Sequence, residues 1–90
     1  KVSNLISKSG NNVANQFEIL TDTARFFQSY NSIIAKIDYD NNITLDSTYW
    51  NYSRTTSKYR NMFLNMSTDD IKKDIKLGKI YPPLCTLITL

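Results

Sequence analysis

Between Ser53 and Arg60 the sequence reads SRTTSKYR: four aliphatic hydroxyls, two arginines and a lysine within eight residues. A helix start there offers free backbone N–H groups and the positive end of the helix dipole. Guanidinium, ammonium and hydroxyl donors beside it make the kind of place where a phosphate is held. Tyr52 and Trp50 precede the run and supply rings on which a base can stack. The candidate nucleic-acid contacts are therefore Tyr52, Ser53, Arg54, Thr55, Lys58 and Arg60. Arg54 and Lys58 stand four apart and share a helix face. Arg60 lies well round from them, and neutralising an acidic neighbour in the sheet is its other reading. The plainer alternative is that the hydroxyls cap the helix, Trp50 and Tyr59 are core, and the charges are solvated.

Other chemistry is poorly supplied. The chain has no histidine and one cysteine. Zinc sites of the usual Cys/His kinds and Ser-His-Asp or Cys-His nucleophile systems therefore cannot be assembled from it. An internal disulfide is impossible, and Cys85 reads as a small hydrophobe in an apolar tail. The run Asp38-Tyr39-Asp40-Asn41-Asn42 begins like a calcium loop. Its sixth position is Ile43 and its twelfth Tyr49, where glycine and glutamate belong, so a turn explains it better. Asp69 and Asp70 suit a helix start, and Asp38, Asp40 and Asp46 suit turns. No carboxylate pair is placed for acid–base work. The expectation is a non-enzyme without cofactor or metal.

Eleven basic against eight acidic residues give a formal charge of +3, which permits a polyanionic partner without demanding one. The apolar fraction of 41% belongs to a globular protein, and ninety residues make one domain. No apolar run approaches the roughly 18 residues that cross a membrane, and signal-peptide features are lacking. A cytoplasmic protein without membrane contact is expected. The chain opens on Lys1 rather than methionine, which suggests trimming at that end.

The elements that must position these residues follow from periodicity. Residues 1–12 read as a lead-in, with Val2, Leu5 and Ile6 at helical spacing. A single domain spans 13–90. Val13 to Leu20 alternates as a strand with Phe17 and Ile19 inward, and Thr21-Asp22-Thr23 turns it into Ala24–Tyr30. Ile33–Tyr39 and a short strand from Ile43 to Leu45 follow across Asp40-Asn41-Asn42. The fold class is α+β: an antiparallel meander of about four strands, two short helices, and an apolar tail. In the first helix, capped by Ser53 or Thr55, Tyr59, Met62, Phe63 and Met66 form the apolar stripe, against Arg54, Lys58, Asn61 and Asn65. Ser67-Thr68-Asp69-Asp70 opens the second helix as a capping box, and Gly78 is its C-cap. Pro82-Pro83 forbids continuation, and Leu84–Leu90 adds a strand or packs across the core. Trp50, Phe17, Ile37 and Phe63 are the expected core.

The strings NVANQFEI, FFQSYNSIIAKI, ITLD and YWNYSRTTSKYRNMFL, in that order, resemble a group of small uncharacterised proteins of bacteriophages and conjugative plasmids of low-GC Gram-positive bacteria. Ser29-Tyr30-Asn31 and Trp50 through Leu64 carry the likeness. The Pro82-Pro83 tail departs from it. The resemblance implies a mobile-element origin and a bacterial cytosol, and no activity.

The function expected is a small binding module of a mobile genetic element that contacts nucleic-acid backbone through the basic helix start. The alternative is a phage- or plasmid-encoded inhibitor that binds a host enzyme or defence protein. A structural or assembly role is a third reading.

Overall fold

A computed structural model describes residues 1–46 and 48–81. Five antiparallel strands follow one another in space as in sequence: β1 (Val2–Ile6), β2 (Asn12–Leu20), β3 (Ala24–Ser29), β4 (Ser32–Asp38) and β5 (Ile43–Leu45). Two helices come next, α1 (Arg54–Leu64) and α2 (Thr68–Lys76). They return the chain to the sheet as β6 (Ile80–Tyr81), which pairs parallel with β5. A parallel pair needs a crossover, and the helical segment supplies it. The α+β meander is as the sequence implies, with a strand added at each edge.

The first addition corrects the reading of Val2, Leu5 and Ile6 as helix or lead-in. Residues 2–6 are the edge strand, held to β2 by backbone pairing and by Asn4 Nδ2 donating to Val13 O at 2.9 Å. Leu5 packs toward the core, while Val2 and Ile6 stay exposed. Three apolar residues in five fit either periodicity. The pairing with β2 decides, and it is not local information. The expectations for Pro82-Pro83, Cys85 and Leu84–Leu90 lie outside the described residues.

Turn chemistry is where the sequence placed it. Asp38 accepts from the backbone N–H groups of Asp40 and Asn42, both at 2.9 Å, and from Asn42 Nδ2 at 3.1 Å. These bonds, those of Asn42 foremost, hold its carboxyl below the ordinary aspartate value. Asn41 takes the left-handed conformation there, with φ 65°. The 38–42 run is thus an Asx-type turn.

Strand β2 departs from plain alternation at Asn15, whose φ is 64°, where the pairing with β1 slips. Beyond it Gln16 and Glu18 pair with Ser29 and Phe27 on the face that the helices cover. Phe17 and Ile19 pair with Gln28 and Phe26 on the other. Phe17 and Ile19 are consequently half-buried rather than core, and Gln16 is enclosed.

The main core lies between sheet and helices, from Phe27, Ile34, Ala35 and Leu45 to Phe63, Leu64, Ile71 and Ile80. Phe27 and Phe63 stack with ring centroids 5.8 Å apart. Phe63 is core as expected, whereas Trp50 and Ile37 pack at its margin, partly exposed. A smaller cluster of Ala24, Phe26 and Ile33 occupies the other face.

Both ends of α2 match their sequence signatures. The Ser67 side chain accepts from Asp70 N at 3.1 Å, and Asp69 and Asp70 stand in the first turn. At the far end Gly78 (φ 75°) follows the cap residue Leu77. Its N–H donates to Ile75 O and that of Lys79 to Asp74 O, the Schellman pair. Ser67→Ala strands the Asp70 donor, so stability falls by about 0.5–2 kcal/mol. Urea unfolding of the two proteins measures it, and equal midpoints contradict the capping role.

Candidate functional site

Ser53 is the residue that starts α1. Its backbone is extended, its Oγ accepts from Thr56 N at 3.1 Å, and its hydroxyl donates to Thr56 Oγ1 at 3.1 Å. The cap therefore occupies Ser53. Arg54, Thr55 and Lys58 project outward from the first turns of the helix, all exposed. None of the three forms an ion pair among the described residues, where the only such pair is Arg25 with Glu18 at 2.8 Å. Tyr52 is 70% exposed just ahead of the cap.

Arg60 is elsewhere, and this corrects its assignment as a nucleic-acid contact. It is fully buried. Its Nη1 donates to Trp50 O and to Asn51 Oδ1 (3.1 Å), and its Nη2 to Asn61 Oδ1 and Thr68 Oγ1, both at 2.8 Å. The guanidinium lies over the Trp50 ring, 5.4 Å from its centroid. Burial pulls its proton affinity below the ordinary arginine value. Arg60 thus ties the loop before α1 to the start of α2, with its donors spent on neutral oxygens. The buried residues of α1 are Thr56, Arg60, Phe63 and Leu64; of the expected stripe, Phe63 is among them and Tyr59 and Met66 pack partly buried against the same core. Met62 faces solvent instead.

A groove and a pocket flank α1. A groove of about 340 Å³ runs between the β1–β2 turn and α1, lined by Lys8 from the turn and by Lys58, Tyr59 and Met62 from the helix. A wider hollow of about 510 Å³ continues past Asn61 and Asn65 to Asp70 and is also lined by Lys8 and Lys58. Lys8 is a residue that the sequence reading missed, because nothing local joins residue 8 to residue 58. The second feature is a pocket of about 280 Å³ at the start of α1. The β3–β4 turn brings Tyr30, Asn31 and Ser32 to it, and the following loop brings Tyr49 and Tyr52. Beside them Ser29 Oγ meets Thr56 Oγ1 at 3.1 Å. Tyr49 and Tyr52 stand edge to face, 5.4 Å between centroids.

Gln16, opposite Ser29 in the sheet, keeps both side-chain amide atoms buried without a hydrogen-bond partner among the described residues. No group of three or more potential metal ligands occurs among those residues. Nor is any helix there long and apolar enough to cross a membrane.

No curated protein and no solved structure matches the chain. A family model does match, over residues 1–79, so strands β1 to β5, both helices and every residue of the site fall within it. The chain belongs to DUF8033, a family of unknown function.

Proposed function

We propose that this member of the family is a non-enzymatic module of a mobile genetic element that binds single-stranded nucleic acid. Arg54 and Lys58 contact its phosphates, with the Thr55 hydroxyl beside them. The supporting observation is a concentration of unneutralised charge: Arg54 and Lys58 share an exposed face of α1, and Lys8 reaches the same groove from a different element. Like charges four apart disfavour a helix by a few tenths of a kcal/mol, and a third cation nearby adds to that cost. An anion bound between them offsets it. The exposed rings of Tyr52 and Tyr30, which line a separate pocket at the start of the same helix, favour a single strand, whose bases are free to stack.

The test is a titration of labelled single- and double-stranded oligonucleotides against the wild type and Arg54→Ala/Lys58→Ala, at low and physiological salt. The expected result is tighter binding of the single strand and weaker binding by the double variant. The plot of log K against log salt becomes shallower by about 1.4, at about 0.7 per lost phosphate contact. Absence of binding at low salt overturns the reading and favours the alternative, a protein partner, for which the exposed Val2 and Ile6 of edge strand β1 are the natural surface.

A further inference from the structure

We infer that the pocket between the β3–β4 turn and the start of α1 receives one unstacked nucleobase. The inference rests on the nucleic-acid reading and names the part of the ligand that this pocket takes. Its lining carries no charged side chain: three tyrosines, Asn31 and hydroxyl residues surround the space, with Ile34 the one aliphatic member. A volume of about 280 Å³ falls just below the ~300–1,000 Å³ common for small-molecule pockets, so a single ring system suits it.

The polar groups divide into spent and free ones. Ser29 and Thr56 bond to each other, and Ser53 is committed to the helix cap. The Asn31 amide, the Ser32 hydroxyl and the three phenol groups make no hydrogen bond to a described residue. A neutral heteroaromatic ring matches both halves of this surface. Its faces lie against tyrosine, and its edge presents donors and acceptors that an amide carrying both can meet. A nucleobase satisfies both conditions.

Tyr30 adds a separate sign of specialisation. It sits in the two-residue β3–β4 turn with φ 55°, and its side chain is 56% exposed. A bulky aromatic is strained in that conformation, which glycine adopts freely. Neither core packing nor turn geometry calls for tyrosine there. Strain at an exposed ring beside a cavity is accounted for if the ring touches a ligand. In a duplex the bases are paired and stacked, and entry into the pocket requires extrusion, so single strands are preferred.

The experiment uses uncharged nucleosides, which contain the base without phosphate, and ribose as a control. Adenosine and uridine are titrated into labelled protein while the ring resonances of Tyr30, Tyr49 and Tyr52 are followed by NMR. Saturable shifts at these rings are expected with nucleoside and not with ribose. Tyr52→Ala and Tyr30→Gly both abolish them. Neither variant threatens the fold, since one ring is largely exposed and the other position favours glycine. Each also weakens single-stranded oligonucleotide binding roughly 5- to 100-fold while leaving the salt slope unchanged. The inference is overturned if nucleosides leave these rings unmoved, if ribose moves them equally, or if both variants bind as the wild type does. Should no oligonucleotide bind at all, the phosphate reading fails and the nucleoside titration alone decides the pocket.

Discussion

Arg60→Met is expected to lower the stability of the fold by about 3 kcal/mol, although it removes a buried positive charge. Methionine keeps most of the aliphatic volume and removes the donors. Hydrogen bonds from a charged group are worth about 1.5–3 kcal/mol each, and buried acceptors left unpaired cost about 1–3 kcal/mol. Arg60 satisfies Trp50 O and contributes to the bonding of Asn51, Asn61 and Thr68. The relief of desolvation offsets part of that loss, which is why the total falls well below the sum of its bonds. Arg60→Lys keeps the charge as a compact point and cannot span from Trp50 O to Thr68 Oγ1, so it recovers little. Chemical denaturation of the three proteins measures both changes. A methionine variant within about 0.5 kcal/mol of wild type, the range of an ordinary surface substitution, contradicts the structural role given to Arg60.

Phe63→Ala is expected to cost about 3–5 kcal/mol. The ring is only 7% exposed, stacks on Phe27, and carries the Arg25 guanidinium 5.1 Å from its centroid. Truncation therefore opens a cavity between helix and sheet that rigid strand backbones cannot close. It also removes the surface on which Arg25, paired to Glu18, rests. An unchanged unfolding midpoint would mean that α1 presents a different face to the sheet.

These two residues also show what could be read in advance. Phe63 was legible because an aromatic in an amphipathic helix has one plausible destination. Arg60 was not. A cation beside Lys58 looks like part of a basic surface, so the expected stripe omits Arg60 and takes in the exposed Met62. The signal was present in the spacing, since residues 56, 60, 63 and 64 form one stripe, with Arg60 in its middle. The turns and caps at Asp38, Ser53, Ser67 and Gly78 were legible because each depends on a few consecutive residues. Strand β1, the parallel β6 and the phase change at Asn15 depend on pairing partners, which no local window contains. The candidate site divides in the same way. Arg54, Thr55 and Lys58 follow from the helix start, whereas Lys8 and the Tyr30–Ser32 turn join it only through the fold. Ser29-Tyr30-Asn31 and the 50–64 segment both carry the likeness to other proteins, yet nothing local says that they contribute to one pocket.

The most direct test of the account is a backbone-amide shift map of the protein titrated with a short single-stranded oligonucleotide at low salt. The expected map concentrates on the first two turns of α1, the Ser7–Gly10 turn and the Tyr30–Ser32 turn, and fades as salt is raised. A map confined to edge strand β1, or a protein whose amides do not move at all, would contradict it.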